Sequence, residues 1–107
     1  MKVIVAGAAG RMGRRIGYMV DQHPALTYAG AFEAPASDQM GNDAGELAGI
    51  GANGVIISEG LESVIDAGDV IIDFTFHRAT MEFARLASAS NKAMVIIPTK
   101  TQTGARC

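Results

Sequence analysis

The sequence predicts an α/β domain, a doubly wound parallel sheet built as a single domain. Three observations predict it. Short apolar runs rich in Val and Ile alternate with segments of helical periodicity along the chain. A glycine-rich turn joins the first apolar run to the first helical segment. The 107 residues suit one domain, and 49% hydrophobic against 19% charged residues gives material for a core and argues against disorder.

Val3 to Ala6 is a short β-branched run ending at glycine, the pattern of a buried parallel strand over 2–6. Met12, Ile16, Met19 and Val20 then recur at helical spacing and predict the buried face of a helix. Asp21 to Pro24 closes it, because a residue before proline avoids the α region. A second strand is expected over 27–33, with Gly30 weakening it. Ala34 to Asn53 is rich in Gly, Ala, Pro, Ser and Asp and reads as a long loop with one helical turn at Ala44 to Ala48. Loops of that length in compact domains usually carry function.

Val55-Ile56-Ile57 predicts a third strand over 54–57. Ser58 is placed to cap a helix whose Leu61, Val64 and Ile65 face inward, and Gly68 ends it. A fourth strand is expected over 70–74, then a helix facing inward through Ala79, Phe83, Leu86 and Ala87, then a fifth strand over 93–97 that Pro98 stops. Right-handed crossovers should put the first strand in the middle, beside the second and fourth.

Composition excludes several function classes. With 9 basic and 11 acidic residues, net charge −2, there is no strong electrostatic case for nucleic acid or an anionic membrane surface. The single cysteine, Cys107, excludes an internal disulfide framework and a cysteine-rich zinc site, and no metal site is expected. No apolar run approaches the roughly 18 residues of a membrane span. The apolar start resembles a secretory signal, but three arginines follow at once and Val3-Ile4-Val5 is better strand than signal helix. The expected location is the cytoplasm.

Chemistry concentrates at Gly7-Ala8-Ala9-Gly10-Arg11-Met12-Gly13, between the first strand and first helix. Glycine there allows positive φ and close backbone approach to a pyrophosphate, which the free amides and dipole of the helix start attract. Gly13 lets helix and strand pack closely. The spacing is GxxGxxG rather than GxGxxG. Glu33, 20 residues beyond Gly13, sits where a carboxylate can accept both hydroxyls of an adenosine ribose. Together these features make a Rossmann-type dinucleotide site. Arg11 is the candidate for a cofactor phosphate or adenine contact, whereas Arg14 and Arg15 read as a solvated helix face.

The stretch Val3 to Gly13 resembles the opening of the dihydrodipicolinate reductase family, enzymes of bacterial and plant lysine and diaminopimelate biosynthesis. Gly30-Ala31-Phe32-Glu33, Asp69 to Thr75 and Lys92 to Ile96 extend the resemblance. Asp43-Ala44-Gly45-Glu46-Leu47-Ala48-Gly49 is its most telling part, since dinucleotide binding alone does not demand it. The resemblance implies a two-domain, tetrameric oxidoreductase that reduces a cyclic dihydrodipicolinate-type substrate with NADH or NADPH. It implies cofactor contacts at Gly7, Ala8, Ala9, Gly10, Arg11, Met12, Gly13, Glu33, Phe74, Thr75 and Thr99. Family members that accept NADPH well often carry an arginine after the ribose acid. Here Ala34 and Pro35 follow Glu33, so NADH is the expected preference.

The chain also departs from the family pattern. The family's Gly-Thr-Thr-Gly after the fifth strand is replaced by Ile97-Pro98-Thr99-Lys100, where only Thr99 agrees. Phe76-His77-Arg78 replace a usual proline and acid. A dinucleotide-binding domain over 1–97 is therefore expected, with a tail over 98–107 unlike the family. The family's second domain, with its His-His pair, lysine and Gly-Thr carboxylate cradle, has no counterpart, and neither His23 nor His77 fits that motif. No catalytic residue is assigned, and the chain alone is expected to be inactive. The alternatives are a stand-alone dinucleotide-binding or regulatory module and the cofactor half of another amino-acid-pathway dehydrogenase.

Overall fold

The structure, a computed structural model, describes residues 1–34, 37–74 and 78–97. Five parallel strands form one sheet: β1 (Lys2–Ala6), β2 (Thr27–Glu33), β3 (Ser58–Glu59), β4 (Val70–Asp73) and β5 (Ala93–Ile96), in the order β3-β2-β1-β4-β5. β1 lies between β2 and β4, as the alternation predicts. Val3, Ile4, Val5 and Ala6 are all fully buried, which is why the run carries no polar alternation. Gly30 does not end β2. The register shifts between Val3 and Ile4, so that Tyr28 faces Val3 and Gly30 faces Ile4.

Among the described residues the α-helices are α1 (Arg11–Gln22), α2 (Ala44–Ala48) and α3 (Arg78–Ala89). The α1 crossover runs from β1 to β2 and the α3 crossover from β4 to β5, in opposite directions across the sheet. Right-handed connections therefore place them on opposite faces. Ile16, Val20 and Tyr28 build one core layer with Val3, Val5 and Ile57. Leu61, Ile65 and Ala87 build the other with Ile4, Phe32 and Ile71, where the Phe32 and Phe83 rings meet edge to face at 5.1 Å. Each fully buried Ile or Leu contributes about 1.5–3 kcal/mol.

The buried face of α1 differs from the expected one. Gly13, Ile16, Gly17 and Val20 face the sheet, whereas Met12 and Met19 are exposed. A Cβ on Gly17 would stand 2.6 Å from the Tyr28 ring, so the missing side chain lets the helix lie close to β2. Reading apolarity alone favours methionine over glycine and rotates the face away from the contact. His23 ends α1 in an extended conformation before Pro24, as expected.

The third strand also moves. Val55 to Ile57 do not pair with β2. Ala44 N donates to Val55 O, Ile57 N to Asn42 O, and Gly41 N to Ile57 O, so this run closes back on the loop before α2. Only Ser58 and Glu59 extend the sheet. Ser58 thus lies in a strand and caps nothing. The segment after it forms two 3-10 turns, Leu61–Ser63 and Ile65–Ala67, instead of one helix. Leu61 and Ile65 still face inward, as predicted.

Candidate functional site

The connections step outward in opposite directions from β1 and from β4, so the strand order switches between these two strands, and ligands of open α/β sheets bind outside the carboxyl ends at such a point. The Gly7 to Gly13 turn lies there. Gly7 N and Ala8 N both donate to Phe32 O, at 2.9 and 3.3 Å, which ties the turn to β2. Gly7 has φ of 64°, a conformation costly for any residue with a Cβ. A Cβ on Gly13 would overlap the Gly7 carbonyl oxygen and stand 2.8 Å from Ala8 Cα, so the third glycine is required by contact. On Gly10 it would meet only Gly7 O, at 3.5 Å, and project into open space.

Gly10 is the N-cap of α1, with no side-chain cap and no acid in the first turn. The first amides of a helix have no intrahelical partner, so Arg11, Met12 and Gly13 present N–H groups and the positive end of the dipole. This is an anion cradle by construction. Arg11 and Met12 are exposed beside it.

Ala9 is held from both sides. Its N–H donates to Glu33 Oε2 at 2.9 Å, and its carbonyl accepts from Arg14 Nε at 2.8 Å. The acid at the end of β2 is thus brought to the glycine turn, as the spacing implies. Arg14 departs from its reading as a solvated face residue: its guanidinium braces the turn. An arginine five residues after the atom it braces leaves no signature distinct from a surface charge. Phe74, directly after β4, is half-buried against the α1-side core. Thr75 and Thr99 lie outside the described residues, as does His77.

The Asp43 to Gly49 segment proves to be architecture. Asp43 caps α2, its Oδ1 accepting from Glu46 N at 3.0 Å and Asn53 N at 3.1 Å, its Oδ2 from Gly54 N at 2.9 Å. Asn53 Oδ1 answers by accepting from Gly45 N and Val55 N. Burial works against the Asp43 charge, but the backbone amides of Asn53, Glu46, Gly54 and Gly45 outweigh it and lower its pKa. Burial, and then the Asp43 charge, push the Tyr28 phenol well above its ordinary range, so it stays protonated. Among the described residues no group of three His, Cys, Asp or Glu side chains is placed to hold a metal, and no helix is long and apolar enough to cross a membrane.

A doubly wound parallel sheet with a glycine cradle, an uncapped helix start and an acid at the end of β2 defines a Rossmann-type nucleotide-binding domain. The family described as "Dihydrodipicolinate reductase, N-terminus" matches residues 1–105, and the chain belongs to that family. It is 62% identical over 95 residues to the 4-hydroxy-tetrahydrodipicolinate reductase of Desulfotalea psychrophila, covering 89% of this chain and 35% of that protein. It is 43% identical over 96 residues to the enzyme of the same name from Geobacter metallireducens, covering 90% of this chain and 36% of that one. The chain thus spans about a third of the length of these relatives. In fold it is similar to aspartate semialdehyde dehydrogenase from Candida albicans, solved with NADP, with a TM-score of 0.67 at 18% identity over 92% of this chain and 29% of that one.

Proposed function

We propose that this domain binds NADH or NADPH as the cofactor half of a 4-hydroxy-tetrahydrodipicolinate reductase of lysine and diaminopimelate biosynthesis. The observation that carries the reading is the Ala9 to Glu33 hydrogen bond beside an uncapped helix start. The open space beyond Gly10, where an added Cβ would meet only Gly7 O, supports a pyrophosphate site there. The turn residues Gly7 to Gly10 and the amides of Arg11, Met12 and Gly13 hold that group. Glu33, with one oxygen on Ala9, offers the other to the adenosine ribose. Phe74, leaving β4 on the opposite side of β1 from β2, meets the nicotinamide half, to which the family resemblance adds Thr75 and Thr99. When bound, the nicotinamide supplies a hydride, and the protein's part is orientation.

Glu33 repels a 2′-phosphate and no arginine follows it, so NADH is the preferred cofactor. The substrate is the cyclic dihydrodipicolinate-type compound of the family. The family resemblance assigns its protonation and its carboxylate cradle to a second domain, so residues 1–107 as an isolated chain are expected not to turn it over. The setting is the cytoplasm. Isothermal titration of NADH, NADPH and ADP-ribose into the chain tests the reading. Saturable one-to-one binding of NADH supports it, and absence of binding by all three overturns it.

A further inference from the structure

Asn53 is followed by Gly54, and both residues are exposed. An asparagine before glycine is where a chain most readily attacks itself, because glycine has no Cβ to shield its nitrogen and lets the backbone bend toward the preceding side chain. The Gly54 nitrogen gives up its proton and bonds to Asn53 Cγ, and the carboxamide nitrogen leaves as ammonia, carrying that proton. Water then opens the cyclic imide at either carbonyl. The products are aspartate and isoaspartate, the latter with its backbone rerouted through the side chain. Water is the only co-reactant, and nothing is oxidised or reduced.

Both reacting groups are held in the knot of hydrogen bonds around Asp43. Gly54 N donates to Asp43 Oδ2 at 2.9 Å, so the nitrogen that must turn on Asn53 is tied to another side chain. Asn53 N donates to Asp43 Oδ1 at 3.1 Å. The Asn53 carboxamide is tied as well, its Oδ1 accepting from Gly45 N at 3.1 Å and Val55 N at 3.0 Å. The carbon under attack lies against α2, where a Cβ on Gly45 would stand 2.6 Å from Asn53 Cγ. Cyclisation therefore requires the knot to open. A product carboxylate at this position puts a second negative charge beside Asp43, and like charges on shared amides repel. Isoaspartate also lengthens the backbone between the two amides that Asp43 spans. We infer that Asn53–Gly54 is a deamidation site gated by the Asp43 knot: the closed knot keeps it unreactive, the open knot lets it cyclise, and the product hinders reclosure.

The test is incubation of the chain at one mildly alkaline pH, in buffer and in denaturing urea, with the conversion located and timed by peptide mass mapping and isoaspartate detection. Unfolded wild type should convert at Asn53 ahead of Asn42 and Asn91, neither of which precedes a glycine. Folded wild type should convert at Asn53 about a hundredfold more slowly, since only the opened fraction reacts. Asp43→Asn keeps one acceptor oxygen and loses the charge and the other acceptor. It should raise the folded rate about tenfold and leave the unfolded rate unchanged. If Asp43→Asn does not fold, low urea on wild type decides: the rate should climb before the global unfolding transition, as for a local opening. A rate that stays flat up to that transition overturns the gate. So does a folded wild type that converts as fast as the unfolded chain, or a folded Asp43→Asn no faster than wild type. No conversion at Asn53 in the unfolded chain overturns the site itself. Asn53→Asp, which writes one product into the chain, should melt below wild type at neutral pH, and equal melting overturns the effect on reclosure.

Discussion

Glu33 accepts the Ala9 amide at 2.9 Å, so the acid that ends β2 is tied to the glycine turn that opens α1. A carboxylate held in this way has one oxygen on the protein, and swinging aside for a second anion costs it that hydrogen bond.

That restraint bears on cofactor choice. Wild type should bind NADH more tightly than NADPH by a few-fold to tenfold, about 1 kcal/mol. Ala34→Arg places a cation beside the ribose and should raise NADPH affinity through a charge-assisted contact, with NADH nearly unchanged. Titration of both cofactors into both proteins checks this. A wild type that prefers NADPH would mean that Arg11, exposed at the head of α1, sets the pocket's charge.

Gly13 should be a stability position. A methyl group there overlaps the Gly7 carbonyl and crowds Ala8, both backbone atoms that cannot turn away. Gly13→Ala is expected to cost about 1–3 kcal/mol or more, since α1 must lift from β1. Thermal or urea denaturation measures it, and a Gly13→Ala protein as stable as wild type would contradict the packing described.

The Asp43 knot predicts an acid-sensitive loop. Backbone amides hold its carboxyl below the usual carboxylate range, so the folded state favours the carboxylate. Its contribution is complete above the unfolded pKa, about 4, and is lost as pH falls through the lower folded value. The melting temperature should drop on acidification through that window. Asp43→Asn should start lower at neutral pH and drop less. Identical pH profiles for the two proteins would show that the amides do not stabilise the charge.

What was legible in the sequence was what is local or periodic. The first strand, the glycine turn and the helix after it lie within 22 residues, and Glu33 follows at the distance a βαβ unit imposes. Their positions follow from spacing alone. The burial of Gly17 was hidden because its function is to have no side chain to score. The true partner of Val55 to Ile57 was hidden because extended backbone announces itself but not what it pairs with. Asp43 stood out only by family likeness. Its role depends on the amides of Asn53 and Gly54 across a loop, which no hydrophobic pattern records. The hydrogen bond from Thr80 to Asp73, at 2.7 Å, is hidden in the same way: a contact between a strand end and a helix start has no period.

The most direct test of the dinucleotide site is titration of NADH into Gly10→Val beside wild type. The open space at Gly10, with only Gly7 O at 3.5 Å from an added Cβ, predicts a variant that folds and melts near wild type. Its side chain fills the volume above the amides of Arg11 and Met12, so NADH affinity should fall at least about a hundredfold, roughly 3 kcal/mol. Unchanged NADH affinity in a folded Gly10→Val protein would show that the glycine turn is not where the cofactor's phosphates are held.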